Sequence, residues 1–363
     1  RGAVMGGEGG GLMLPPMGLG CWAWGNRLLW DYDEGMDTGL QEVFDIYASQ
    51  SYLPPKDGEQ EDGPRRVASL FDTGDSYGTG SLNGRSEALL GRFRKEFARG
   101  RGVGDGDGDG VVFATKLAAY PWRITRGQMV RACEASMARL QVDGGGDEKL
   151  ELAQLHWSAA NYAPLQELAL WRGIGDMAEQ GLCTSIGVSN YGPRQLAKLQ
   201  AYLASRGLQV ATCQVQFSLL SYDALQRDTL AYCNDNGIRV ISYSPLALGL
   251  LTGKYASKED LPKGFRGLAL GSLVANDGLG PLLREMEAVR ADASVGAETL
   301  AQVALAWCLG KGTVPIPGAK DARQARQNLR ALQVTLGDHH IQALEQAAQR
   351  CSSKMVQNVF QTK

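Results

Sequence analysis

The pattern that most constrains this chain is a repeat. A short apolar run rich in β-branched residues is followed by a loop and then by an amphipathic helix, over and over. Eight runs read as strands, at residues 17–21, 69–72, 111–115, 152–155, 185–188, 212–216, 239–242 and 313–316. Helical periodicity follows them at 37–49, 86–97, 126–140, 165–179, 193–203, 224–234, 298–309 and 322–332. The runs are apolar on both faces, as parallel strands covered by helices must be. Helix-end signals agree. Thr125 can cap the helix it precedes, Pro193 suits a first turn, and Gly181, Gly207 and Gly237 lie just past helix ends. Alternation of this kind predicts an α/β fold, a closed (β/α)8 TIM barrel, with an open doubly wound sheet as the alternative.

A chain of 363 residues suits one such barrel. The expected domain is 12–363, after a flexible glycine-rich start at 1–11. Segments 52–66, 102–110 and 144–148 are rich in Pro, Gly or charge and fall between a helix and the next strand, so they read as solvated loops on the N-terminal face. Segment 253–280 reads as a long loop after the seventh strand, on the face where long loops serve as lids; 288–293 and 338–350 read as extra helices.

Thirty-seven basic residues nearly balance 39 acidic ones, so neither nucleic acid nor an anionic membrane is expected as a partner. No apolar run approaches the ~20 residues of a transmembrane segment. The seven cysteines are scattered without a CxxC pair, which suits a reducing compartment. Histidine occurs only at 156, 339 and 340, and no ligand pair has helical or turn spacing, so no metal is expected. The chain starts at Arg1 with no charged-then-apolar leader, as a processed or truncated product would.

In a barrel, catalytic groups belong at the C-terminal ends of strands. Asp72 and Tyr77 follow the second strand, Lys116 ends VVFATK and His156 ends LAQLH. Each alone has a structural explanation: a turn cap, a snorkelling lysine, a satisfied core histidine. Together they suit carbonyl reduction. A phenol with a pKa near ~10 donates a proton poorly unless a neighbouring cation stabilises its anion. Lys116 would be that cation, Asp72 would hold it charged, and His156 would orient the substrate oxygen. Glu87 reads as helix-opening structure. The pattern GLGCWA at Gly18 precedes no βαβ unit, and GLLTGK at Gly249 is one residue short of a phosphate loop, so neither supports a nucleotide-fold alternative.

With these residues in place the sequence resembles the aldo-keto reductases. The matching pieces are GLGCWAWG at Gly18, FDTGDSYG at Phe71, ATK at Ala114, LHW at Leu155, GVSNYG at Gly187, QVQFSLL at Gln214, SYSPLALGLLTGKY at Ser242 and PIPGAKDARQARQNL at Pro315. NRLLWDY, LAAYPWR, QLHWSAANYAPLQE and the tail MVQNVFQTK look most like the plastid members from plants and algae, which implies a chloroplast location.

The resemblance implies Tyr77 as general acid, Asp72 and Lys116 as its tuning pair, and His156 as the carbonyl-orienting group. It implies NADPH/NADP+ as cofactor. Ser189, Asn190 and Gln214 would take the carboxamide and Tyr243 would stack on the nicotinamide. Ser244, Leu246, Gly249, Leu251 and Lys254 would wrap the pyrophosphate. Gly318, Lys320, Gln324, Gln327 and Asn328 would hold the adenosine end, and Gly20 and Trp22 would also border the cofactor. Lys320 and Arg323 near a helix start suit a 2′-phosphate, although Arg323 taken alone reads as a solvated helix charge, and Gln324 stands where many relatives carry Arg. Ser158 stands where Pro is common. Aromatics Trp22, Trp24, Tyr120, Trp122, Trp157 and Phe217 fall on rim loops, with Trp22, Trp122 and Trp157 the candidate substrate pocket for a small-molecule carbonyl. The reading is therefore an NADPH-dependent reductase of aldehydes or ketones; the alternative is an NADPH-binding regulatory protein with slow turnover.

Overall fold

Short apolar runs separated by helices can satisfy their backbone groups only by pairing with one another, and in this chain they do so in strict sequence order. The computed structural model describes residues 12–50, 69–78, 84–101, 110–142, 148–255, 258–262, 265–274 and 278–363. The strands are β1 (Leu19–Gly20), β2 (Ser69–Asp72), β3 (Val111–Leu117), β4 (Leu150–Leu155), β5 (Cys183–Ser189), β6 (Val210–Gln216), β7 (Arg239–Tyr243) and β8 (Val314–Pro315). They form one sheet in the order β1 to β8, every neighbour parallel. Its two edges also meet, because Gly18 and Gly20 donate backbone N–H groups to the carbonyls of Pro315 and Pro317 at 3.0 and 3.1 Å. The sheet thus curls back on itself as a (β/α)8 fold requires, and the open-sheet alternative is set aside. Gly20 permits that closure: a Cβ there would lie 2.7 Å from the Ile316 carbonyl oxygen.

A short helix α1 (Arg27–Trp30) precedes α2 (Asp37–Ala48), which packs outside β2. Helices α3 (Arg85–Arg101), α4 (Arg126–Leu140), α5 (Pro164–Glu179), α6 (Pro193–Ala204) and α7 (Ala224–Asp235) follow β2 to β6 in turn. Phe44 of α2 stacks on Phe71 of β2 with ring centroids 4.4 Å apart, a typical joint of the layer between strands and helices. Inside the barrel a smaller cluster gathers Leu70, Val112, Leu152, Ile241 and Val314, with Leu12 and Leu14 packed against it.

The segment after β7 differs from expectation. Instead of one long loop it holds a 3-10 turn at Lys258–Asp260, α8 (Phe265–Val274) and the start of α9 (Gly280–Ala291). Gly267 and Gly271 masked the helical pattern, but Leu270, Leu273 and Val274 recur at helical spacing and pack onto the core. The extra helix read at 288–293 is the end of α9. After it come α10 (Leu300–Gly310), α11 (Ala322–Arg330) and α12 (Asp338–Arg350), the last with the bounds expected. The start at 1–11, segment 52–66, and all but Gly110 and Glu148 of the other two inserted segments lie outside the described residues. Among the described residues no helix is long and apolar enough to cross a membrane.

Glu87 does more than open α3. It is fully buried, accepts from Thr115 of β3, and takes the Nε–H of Arg139 of α4 at 2.6 Å. Burial pushes its carboxyl up against the pull of Arg139 and Thr115. Arg139→Met leaves this carboxylate buried without its cation and is expected to lower the unfolding free energy by ~3–5 kcal/mol. A urea midpoint equal to wild type would contradict that, and Glu87→Gln added to Arg139→Met should recover part of the loss.

Candidate functional site

Register brings the first group of residues together. Asp72 pairs with Ala114, so Lys116, two residues on, shares its face one step nearer the rim. Lys116 in turn pairs with Gln154, and His156 follows two residues beyond, its backbone N–H on the Leu117 carbonyl at 3.0 Å. Lys116 Nζ donates to Asp72 Oδ1 at 2.5 Å and to the Thr73 carbonyl at 2.6 Å. The other Asp72 oxygen accepts from Gln214 Nε2 at 2.7 Å and Gln154 Nε2 at 3.4 Å. The ammonium lies 4.8 Å from the centroid of the Tyr77 ring. Tyr77 and His156 meet edge to face, 5.6 Å apart at 72°. Ser76 Oγ lies 3.2 Å from His156 Nδ1.

Exposure divides the four into two pairs. Asp72 and Lys116 are 2% and 1% exposed, whereas Tyr77 and His156 are half-buried. A ligand can reach the phenol and the imidazole but not the ion pair behind them.

Burial lowers the Lys116 pKa against the opposing pull of Asp72. Burial, then Asp72, raises Tyr77 well above the usual phenol value. The ammonium is held by Asp72 and Thr73 and lies over the phenol ring. His156 is pushed well below the usual imidazole value by burial and then by Lys116, so it is neutral at pH 7.

The second group lies beside the first. Asn190, after β5, has left-handed backbone with φ 62°, a conformation its short polar side chain tolerates. Its Nδ2 donates to the His156 carbonyl and to Ser189 Oγ, both at 3.1 Å, and its Oδ1 accepts from Tyr243 OH at 2.9 Å. Gln214 pairs with Ser189 and accepts the Asn190 N–H on its backbone carbonyl at 2.9 Å, while its side-chain Nε2 donates to Asp72.

After β7, Ser244, Ala247, Leu248 and Gly249 all have positive φ, and Leu246 accepts from the N–H groups of Gly249 and Leu251 at 2.9 and 3.3 Å. Leu251 is buried, and the exposed Lys254 holds its Nζ 4.7 Å from the Tyr255 ring centroid. At α11, Asp321 caps the helix by accepting from Gln324 N–H at 2.8 Å, while the Lys320 N–H donates to Gln324 Oε1 at 3.2 Å. Asn328 donates to the Gly318 carbonyl at 3.3 Å, and Gln327 accepts through its backbone from Gln302 at 3.2 Å. These residues fit a dinucleotide. Amide and hydroxyl groups at Ser189 and Asn190 suit a carboxamide, and left-handed turns present backbone N–H groups of the kind that cradle phosphates. A helix N-terminus beside Lys320 suits a further anion.

The aromatic candidates separate. Trp157 lies 4.9 Å from His156 and joins the site. Trp122, 59% exposed, stacks on Tyr120, which meets Trp157 edge-on at 6.2 Å; it also borders a cleft with Arg123, Gln128, Arg131 and Ala132 that holds none of the four. Trp22 packs against Trp30 at 5.7 Å. Trp24 and Phe217 are core, against Phe93 and Trp307.

Spacing gave no sign of what the C-terminal tail does. Phe360 stacks on Trp157 at 4.6 Å, Asn358 donates to Tyr243 OH at 3.1 Å, and Thr362 donates its N–H to the Asn190 carbonyl at 3.1 Å. Among the described residues one group of side chains is close enough to share a metal ion: Asp292, His339 and His340. His340 Nδ1 accepts from the Gly337 N–H, so Nε2 carries the proton and donates to Asp292, leaving neutral His340 no lone pair for an ion.

A family model described as the Aldo/keto reductase family matches residues 65–349. The chain is 49% identical over 354 residues, 98% of itself and 88% of the relative, to the chloroplastic pyridoxal reductase of Arabidopsis thaliana. An uncharacterized oxidoreductase of Mycobacterium tuberculosis is 33% identical over 336 residues, covering 92% of this chain and 88% of that one. The crystal structure of an aldo/keto reductase from Klebsiella pneumoniae in complex with NADP and acetate matches with a TM-score of 0.62 at 23% identity over 95% of each chain, a likeness of fold.

A histidine held neutral by burial gives a stability that is complete above its unfolded pKa of about 6.5 and declines as pH falls below it, because the unfolded chain then binds the extra proton. His156→Asn should flatten the acid side of the stability profile measured by urea denaturation; an equally steep profile in the variant would contradict the neutral assignment.

Proposed function

Because the chain belongs to the aldo/keto reductase family, we propose that it reduces an aldehyde or ketone to an alcohol with NADPH. The observation that carries this reading is the buried Lys116–Asp72 pair set directly behind the accessible Tyr77 and His156. When bound, NADPH supplies the hydride that adds to the carbonyl carbon. Tyr77 gives its hydroxyl proton to the oxygen as negative charge develops there, so the products are the alcohol and NADP+. A phenol kept protonated by its surroundings holds that proton until an alkoxide, a stronger base, takes it. Neutral His156 donates a ring N–H to the same oxygen and fixes its direction. Asp72 holds Lys116 beside the phenol ring.

Ser189 and Asn190 would hold the carboxamide, Tyr243 would face the nicotinamide, the turn after β7 would meet the pyrophosphate, and Lys320 would meet a 2′-phosphate. The Arabidopsis relative is named a pyridoxal reductase, and the Trp157–Phe360 wall is aromatic, so pyridoxal is the first substrate to test. That relative is also named chloroplastic, which supports a plastid location for this chain.

Tyr77→Phe is expected to slow NADPH consumption with pyridoxal by about 10²–10⁴-fold, and an unchanged rate would sink its role as acid. Lys320→Ala is expected to raise the KM for NADPH by about tenfold or more, the worth of one charge-assisted hydrogen bond, while leaving the KM for NADH alone. Equal changes for both cofactors would place Lys320 away from the 2′-phosphate.

A further inference from the structure

Glu167 is a buried acid that neither the proposed chemistry nor the cofactor contacts use. It is 4% exposed, on the first turns of α5. Its Oε1 accepts from Ser158 Oγ at 2.9 Å, Trp171 Nε1 at 2.9 Å, Tyr191 OH at 2.6 Å and Gln195 Nε2 at 2.9 Å. Its Oε2 accepts the backbone N–H of Ala159 at 2.6 Å. All five partners donate, so both oxygens serve as acceptors. A neutral amide in this place would turn an NH2 group toward at least one buried donor.

The partners matter because of where they sit in the chain. Ser158 and Ala159 lie two and three residues after His156, and Tyr191 follows Asn190 directly. Asn190 Nδ2 already reaches back to the His156 carbonyl at 3.1 Å. The contacts therefore close a circuit: His156 to Ser158 along the chain, Ser158 to Glu167 and Glu167 to Tyr191 by hydrogen bonds, Tyr191 to Asn190 along the chain, and Asn190 back to His156.

We propose that Glu167 is a positioning residue that sets His156 relative to the Ser189–Asn190 pair, and so holds the carbonyl oxygen in line with the nicotinamide. The proposal rests on the reductase reading for its consequence, but its geometric content is separate. It also gives Ser158 a purpose: a proline there would have no hydroxyl to donate to Glu167.

Two measurements test it, on Glu167→Gln and on the milder Ser158→Ala, which keeps the carboxylate and covers the case in which the first variant folds poorly. With only three histidines in the chain, imidazole signals of 15N-histidine protein can be assigned by comparison with His156→Asn. The His156 signals are expected to shift in both variants while those of His339 and His340 stay. With pyridoxal and NADPH, below the unfolding temperature, Glu167→Gln is expected to lower kcat about 10- to 100-fold, the scale of a misplacement of ~1 Å. The primary isotope effect from 4-deuterated NADPH should rise as hydride transfer limits the rate more fully. A merely structural Glu167 would lower the unfolding temperature and move neither readout. Unchanged His156 signals in both variants, or wild-type kcat and isotope effect in folded Glu167→Gln, would overturn the proposal. A wild-type protein inactive on every carbonyl, with His156 signals still shifted in the variants, would overturn the reductase reading and uphold the positioning.

Discussion

Two opposite charges removed from water and held 2.5 Å apart, Lys116 Nζ on Asp72 Oδ1, are the contact on which the rest of the site depends. Taking an ammonium and a carboxylate into a barrel interior costs several kcal/mol per ion, and mutual attraction offsets this only if every remaining donor and acceptor is met. The surroundings supply most of these partners. Thr73 gives the ammonium a carbonyl, and Gln154 and Gln214 give the carboxylate two amides from across the barrel. Four strands therefore contribute to one ion pair, which explains why a polar layer persists above a core of Leu, Val and Ile.

The same burial decides the character of the groups in front. Burial, and then the nearby Asp72 carboxylate, push the Tyr77 phenol upward. His156 moves the other way because burial and a nearby cation both oppose a second proton. The result is two neutral donors at the mouth of a barrel, backed by an ion pair that solvent does not reach. Around them the loops are not free. Asn190 ties the backbone of His156 to the hydroxyl of Tyr243, Glu167 joins the loops after β4 and β5, and the C-terminal tail lies across both.

Much of this was legible in residue order. Strand bounds at 69–72 and helix bounds at 126–140 and 338–350 match the structure because local periodicity and end signals agree there. Lys116 and His156 were identifiable because parallel strands of a barrel end at one face, so residues at strand ends must converge. The helix at Phe265–Val274 was missed because two glycines broke its pattern, and tertiary burial of Leu270 overrode their low propensity. Glu87 read as a helix opening, since nothing local reveals that Arg139 lies beside it, 52 residues away.

By itself, then, the amino-acid sequence determined the alternation of strands and helices, the family, and which four side chains gather at and just past the ends of β2, β3 and β4. These follow from periods and from positions relative to strand ends, both local properties. Only the tertiary structure decided what those side chains experience: that Gln214 faces Asp72, that Lys116 is shared between Asp72 and Thr73, and that Phe360 reaches Trp157 from the far end of the chain. Burial and hydrogen-bond partnership depend on how loops of different strands meet in space, and sequence spacing carries no record of that distance.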